Sequence, residues 1–258
     1  MGTPPRPRAA RFFHPLISEP MSIYTFHLAQ TSAVRTARTL LRPPTARDTP
    51  GLRRAECMTV MRLGSPIVSP GRMQPRHLAV FAWWEDEQAV DRFLESSALG
   101  HALAAGWHVR MRLVRRWGHV PGFDEEPTGA DAVDPSDPVV AVTLARLKLP
   151  QVPRFIYWGK PVEAQVRDHP GSTLALAAMR PPRTVSTFSV WRSQREMRDM
   201  VLGRGHAPNA RRHADAMVER ERKGFHHAFT TLRYVPLSEH GMWEGRRTIV
   251  PGLSASDA

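Results

Sequence analysis

Apolar residues recur along this chain in two rhythms, and the order in which the rhythms change is the same in its two halves. Alternation with a period of two buries one side of an extended strand, while apolar positions three or four apart bury one stripe of a helix. In the first half the strand rhythm covers 23–28, 55–63, 77–83 and 107–117. A helix over 32–41 stops at Pro43-Pro44, and another begins at Glu85, breaks near Ser96-Ser97 and resumes to Ala104. In the second half strands are predicted over 139–149, 172–179, 184–191 and 225–235, with helices over 154–167, from Ser193 and from Pro208. Each half reads βαββαβ.

The likeness extends to individual residues. Phe81-Ala82-Trp83 ends a strand before a polar helix, as Ser189-Val190-Trp191 does. Gly106-Trp107-His108 opens the last strand of the first half, as Gly224-Phe225-His226 opens that of the second. Trp83 and Trp191 are therefore expected at equivalent places, and so are Trp107 and Phe225. A repeat the size of a small domain marks duplication rather than a solenoid. A βαββαβ unit is a ferredoxin-like sheet with helices on one face, and its bare face must be buried. The expected fold class is α+β, with tandem ferredoxin-like halves closing as an intrachain dimeric α/β barrel and a cavity between sheet and helices. Independent halves that dimerise with other chains are the alternative.

Composition sets the boundaries. Residues 123–138 hold six acids and no base, with Pro, Gly and Ala between them, which is the composition of a linker. The halves are then 21–122 and 139–247, flanked by an extension over 1–20 and a tail over 248–258 that are expected to be disordered. The extension carries Arg6, Arg8 and Arg11 among prolines and lacks an apolar run of secretory length, and Met21, just before the first strand, is an alternative start. No stretch reaches the roughly 18 apolar residues of a membrane span. Cys57 is the one cysteine, so no internal disulfide forms and the expected place is the cytoplasm, peripheral at the inner membrane face.

The net charge of +12 conceals a body of +18 outside the linker. Such a body suits nucleic acid, an anionic membrane surface or an acidic protein partner. The chain has no helix-turn-helix glycine pattern, RNA-stacking aromatic motif or zinc-ligand spacing, so nucleic acid is not expected.

Gly203-Arg204-Gly205 follows a helix and lacks a third glycine, so it reads as a helix end rather than a phosphate cradle. P-loop, nucleophile-elbow and covalent-haem patterns are missing too. What remains is a histidine cluster in the second half: His206, His213, His226 and His227. His206 and His213 are seven residues apart, about two turns of an unbroken helix. Imidazole suits iron, and a histidine on the helix before the last strand can point between helix and sheet, where a planar cofactor fits. Asp215 and Glu219 leave a two-histidine, one-carboxylate iron site open, and a structural role for each histidine is open as well.

Six blocks then occur in order: 142–146, 155–161 (Phe-Ile-Tyr-Trp-Gly-Lys-Pro), 185–191, 213–217 (His-Ala-Asp-Ala-Met), 223–225 and 239–246. This series resembles the spheroidene monooxygenase family of carotenoid biosynthesis, over about 21–247 and most specifically in the second half. The resemblance implies a haem-containing monooxygenase that uses dioxygen and electrons from an acidic ferredoxin to hydroxylate an acyclic carotenoid, or a similar long apolar molecule, and carry the same carbon to a ketone. It places the haem-iron ligand on His213, haem propionate partners on Lys160 and Arg146, and the substrate pocket at Trp158 and Trp191. Arg211 and Arg212 beside His213, and the His226-His227 pair, depart from the family pattern. The same barrel also supports a cofactor-independent oxygenase or isomerase of a polyketide-like substrate, and a non-catalytic haem or lipid carrier.

Overall fold

A computed structural model describes residues 22–123, 133–204 and 210–253, and the backbone of 255 and 256. The N-terminal extension, His206 and most of the acidic linker lie outside the described residues. The first half runs β1 (Ile23–Gln30), α1 (Ala33–Leu41), β2 (Leu52–Met61), β3 (Met73–Trp84), α2 (Glu87–Ser96), α3 (Ala98–Ala104) and β4 (Trp107–His119). The second runs β5 (Val139–Leu147), α4 (Val152–Arg167), β6 (Ser172–Arg180), β7 (Thr184–Trp191), α5 (Gln194–Val201), α6 (Arg212–Arg222) and β8 (His226–Gly241), with a short β9 (Ala255–Ser256). Ser32, Asp86, Ser97 and Ser193 each cap a helix by accepting a backbone N–H of its first turn, which fixes where α1, α2, α3 and α5 begin.

The two halves form one closed barrel. The order β4-β1-β3-β2-β6-β7-β5-β8 is completed by pairing of β4 with β8, and every pairing of these eight strands is antiparallel. Exchanging β1 to β4 with β5 to β8 returns the same ring, the pseudo-twofold relation of a tandem ferredoxin-like duplication. Closure gives each of these eight strands a partner on both sides, although β2 and β6 meet only over Thr59–Met61 and Ala177–Met179. The barrel interior is solid: Tyr24, Phe26, Phe81, Trp107, Phe188 and Tyr234 are buried there, with the rings of Phe26 and Phe188 stacked at 3.8 Å. Each such ring contributes about 2 kcal/mol by leaving water.

The internal alignment needs correcting by register. Val139 opens β5 opposite Trp191 as Ile23 opens β1 opposite Trp84, so Trp84 and not Trp83 is the counterpart of Trp191. Trp84 and Trp191 both point to the helix side, whereas Trp83 faces the barrel interior. Trp107 pairs with Leu28, whose counterpart Leu144 pairs with Thr230, so Phe225 is not its equivalent. Adjacent tryptophans and a strand lengthened at its start made the wrong residues look alike. The expected disordered tail also needs correction, since Ile249 and Val250 are buried. Their backbone N–H groups donate to the buried Glu239 carboxylate at 2.7 and 3.0 Å, and Trp107 Nε1 donates to it at 2.7 Å.

On the helix side of the first half, His27, His108 and His240 are direct neighbours across β1, β4 and β8, with ring centroids 4.8 and 4.6 Å apart. Both nitrogens of His108 and Nδ1 of His27 are buried without a hydrogen-bond partner. Burial, then Arg110 and His240, pushes the pKa of His27 down to about 3, and burial lowers that of His108 as well. These rings stay neutral in the fold but take a proton in the unfolded chain below about pH 6.5. Stability is therefore full above pH 6.5 and falls as pH drops toward 3, by up to about 1.4 kcal/mol per unit for each ring. Urea unfolding between pH 8 and pH 4 measures this slope, and His108→Phe is expected to flatten it.

Candidate functional site: an open space beneath two helices

The correct register lets the halves be compared position by position. On the helix side of the first sheet, Val80, His27 and His108 form one row across β3, β1 and β4, and all three are buried. The counterpart row across β7, β5 and β8 is Thr187, Thr143 and Thr231. Ala177 extends it onto β6, and the next row holds Ala175, Ser189 and Ala141. Small side chains thus stand where the first half has imidazole and valine. Thr187 lies on an inner strand of the barrel and is nevertheless exposed. Thirteen buried residues fill the helix–sheet layer of the first half, against Val139, Trp191, Met197 and Met200 in the second.

The roof stands off this floor. α4 has sixteen residues and not one is buried. It touches the sheet chiefly along β6, and α6 packs on α4 and α5 rather than on a strand. Phe155, Gly159, Val162 and Val166 form the sheet-facing stripe of α4, for Phe155 meets Phe225 and Val166 joins the small apolar cluster with Trp191. A Cβ added at Gly159 would meet only the Phe155 ring of its own helix, at an ordinary contact distance of 3.9 Å, so among the described residues no atom of the sheet comes within 4 Å of it. Pro161 removes one hydrogen bond from this helix.

Polar anchors rather than apolar burial hold α4. Arg154 pairs with Glu219 of α6, and Gln165 donates to the Ala210 carbonyl at 2.7 Å. On another side Glu163 accepts from Arg72, from Gly64 N–H at 3.0 Å and from Lys160 Nζ at 2.8 Å. Burial alone would raise the Glu163 pKa, but these donors outweigh it and hold the carboxyl below its usual range.

His213, Met217 and Arg220 share one stripe of α6. The Arg220 guanidinium lies 3.9 Å from the centre of the Phe229 ring, and Phe229 is on the helix side of β8 beside Ala145, so this stripe faces the floor. The His213 backbone N–H donates to Gln165 Oε1 at 3.0 Å. Its Nδ1 lies 3.2 Å from the Val201 carbonyl, which can only accept, so Nδ1 carries the proton. Nε2 is left with its lone pair and, among the described residues, no hydrogen-bond partner. Burial lowers the pKa, partly offset by the bond to Val201, so the ring is neutral near pH 7. A neutral imidazole held through one nitrogen with the other free is the arrangement of a metal-ligating histidine.

The other expected site residues divide. Trp158 sits on the α6 side of α4 between Arg154 and Gln165, half-buried at the rim. Trp191 closes the floor against Met197 and Met200, with Nε1 donating to Ser189 at 2.8 Å. Lys160 is not brought to the space, since its ammonium is spent on Glu163 and on the Ser65 carbonyl at 2.5 Å. Arg146 continues the barrel-facing series Val140, Val142 and Leu144, on the opposite side of the sheet from His213. The carboxylates of a non-haem site are unsuitable: Asp215 is exposed, and hydrogen bonds from Arg222 and Arg154 hold Glu219 ionised with a pKa of about 2. Among the described residues no three His, Cys, Asp or Glu side chains gather to hold a metal. Cys57 is buried, with its thiol pushed up to about 12, so it offers no thiolate. The floor threonines and Gly159 escaped sequence reasoning; a repeat comparison in the right register would have found the threonines opposite His27, Val80 and His108.

No protein-family model and no curated protein matches the chain. Solved structures do. Aldoxime dehydratase superposes with a TM-score of 0.52 over 90% of this chain and 90% of that one, at 13% identity. A ferredoxin-fold protein related to antibiotic biosynthesis monooxygenases, from Listeria monocytogenes, covers 82% of this chain and 95% of its own at 10% identity, with a TM-score of 0.27. LmHde, a haem-degrading enzyme from the same organism, covers 81% and 98% at 10% identity, also with a TM-score of 0.27. At these identities the likeness is one of fold alone, and it is the aldoxime dehydratase superposition that carries it.

Copying the first-half residues into the second is expected to close the space. Thr143→His, Thr187→Val and Thr231→His together should abolish ligand binding while the barrel keeps its circular dichroism and thermal unfolding. Retained binding of any ligand of the wild-type protein would place that ligand elsewhere.

Proposed function

We propose that the protein is a haem-dependent monooxygenase of a long apolar substrate, of the acyclic carotenoid kind that the sequence resemblance implies. One observation carries the reading: His213, neutral and held through Nδ1 by the Val201 carbonyl, stands on the α6 stripe that faces a floor of threonine, serine and alanine. His213 would hold the iron of a haem bound over that floor. Bound there, haem supplies the activation of dioxygen, and the chain supplies position, dryness and charge. Arg220, on the same stripe as His213, is the cation available for a haem carboxylate in place of Lys160 and Arg146. The hydroxyls of Thr143, Thr187 and Thr231 offer hydrogen bonds along the floor, and Phe155, Phe225 and Phe229 offer apolar walls.

Delivery follows from charge and exposure. A net charge of +12 favours encounter with an acidic ferredoxin as electron donor. No helix among the described residues is long and apolar enough to cross a membrane. Val68 is 97% exposed in the loop that Lys160 ties to α4, which together with the net charge of +12 suits an anionic membrane surface as the source of an apolar substrate.

Expression with added haem precursor is expected to give a protein with a Soret band that converts an acyclic carotenoid when dioxygen and reduced ferredoxin are supplied. His213→Ala should lose that band, or shift it to that of loosely held haem, with unchanged circular dichroism. A wild-type protein that neither purifies with haem nor takes it up on titration would sink the reading and leave the cofactor-free oxygenase and the lipid carrier.

A further inference from the structure

We infer that the end of the open space around His226 is a recognition subsite for a neutral oxygen, a hydroxyl or a carbonyl, on an apolar ligand. The inference rests on the proposed function only in taking this space as the place where the ligand binds.

His226 opens β8 opposite Leu147, just past an irregularity in the ladder between Arg146 and Leu147. The ring therefore turns toward the helices instead of the barrel. It lies 5.6 Å from Phe155 on α4, 5.0 Å from Phe229 on the floor and 5.8 Å from Phe225. Three phenyl rings thus surround one imidazole. Outside them, Arg154 covers Phe225 at 4.6 Å and Arg220 covers Phe229 at 3.9 Å. Within this box Nε2 of His226 is buried and, among the described residues, has no hydrogen-bond partner.

A buried imidazole nitrogen without a partner is costly, and the one on His226, unlike those of the closely packed His27 and His108 row, borders a layer floored by small side chains where a ligand atom can complete it. The occupant must offer one polar atom and otherwise apolar surface, because phenyl rings form the rest of the box. Burial, then Arg220 and Lys148, pushes the His226 pKa down to about 4, so the ring is neutral at ordinary pH. No protein group fixes its tautomer, so Nε2 donates to a carbonyl or accepts from a hydroxyl equally well. His213 lies on the opposite stretch of the same α6 stripe, seven residues before the arginine that covers Phe229. A ligand anchored at His226 therefore extends along the floor toward His213.

Quenching of tryptophan fluorescence in the full-length protein by n-octane, 1-octanol and octanoate tests this without reference to haem or turnover. His226→Phe is expected to weaken 1-octanol about tenfold while leaving n-octane within about twofold, which also reports an intact fold. His226→Gln, which keeps a donor and an acceptor, should retain most of the alcohol affinity. In the wild type, 1-octanol binding should be flat from pH 9 to 5.5 and change as pH approaches the His226 pKa of about 4. Equal losses for alkane and alcohol in His226→Phe would make His226 a packing residue and overturn the inference. So would a larger loss for octanoate, which would make the subsite anionic, or no binding of 1-octanol by the wild type. Absence of a Soret band would end the haem reading and leave this result standing.

Discussion

The ladder between β4 and β8 is the contact on which the rest of the molecule depends. It runs from Trp107 opposite Gly241 to His119 opposite Phe229 and turns two open sheets into one closed wall. Closure presses Tyr24, Phe26, Phe81 and Phe188 together in the barrel interior. It also fixes which faces of the strands turn outward, toward the helices. Glu239 secures one end of this wall by accepting three N–H groups, from Trp107, Ile249 and Val250.

Given that wall, duplication produced two helix–sheet layers and only one of them is filled. The first half has aromatic, aliphatic and imidazole side chains beneath its helices, including a histidine row that leaves three nitrogens unpaired. Unpaired nitrogens are an expensive way to occupy space. The second half has threonine, serine and alanine at the counterpart positions, beneath a helix with no buried residue. The asymmetry lies in the volumes of side chains on strands of equal register, and so needs no change of backbone topology.

Most of the fold was legible in the sequence because strand rhythm and helix caps are local. The strands near 23–28 and 184–191, the helix break at Ser96-Ser97 and the helix starts at Ser32 and Ser193, where each serine caps its helix, all stand where the pattern put them. Register was not legible, since Trp83 and Trp84 are equally good matches to Trp191 until strand pairing separates interior from exterior. Burial of the tail was hidden too, because Ile249 and Val250 follow a polar stretch and the carboxylate that holds their backbone lies ten and eleven residues back. At the site, motif likeness pointed to His213, which stands on the α6 stripe that faces the floor. It could not see that Lys160 is engaged by Glu163 or that Arg146 faces the barrel interior, for both follow from which side of an element a residue falls on.

The roof over the open layer belongs to the second half by sequence, yet its firmest anchor belongs to the first. Glu163 of α4 is held by Arg72 and by the backbone of Gly64, both from the loop between β2 and β3. The second half also braces its roof through Arg154–Glu219 and Gln165–Ala210, but a chain cut at the linker would lose both the closing strand ladder and this tether to the first half. The fusion has become a dependency, in which the half with the filled layer persists as the brace of the half that was hollowed out.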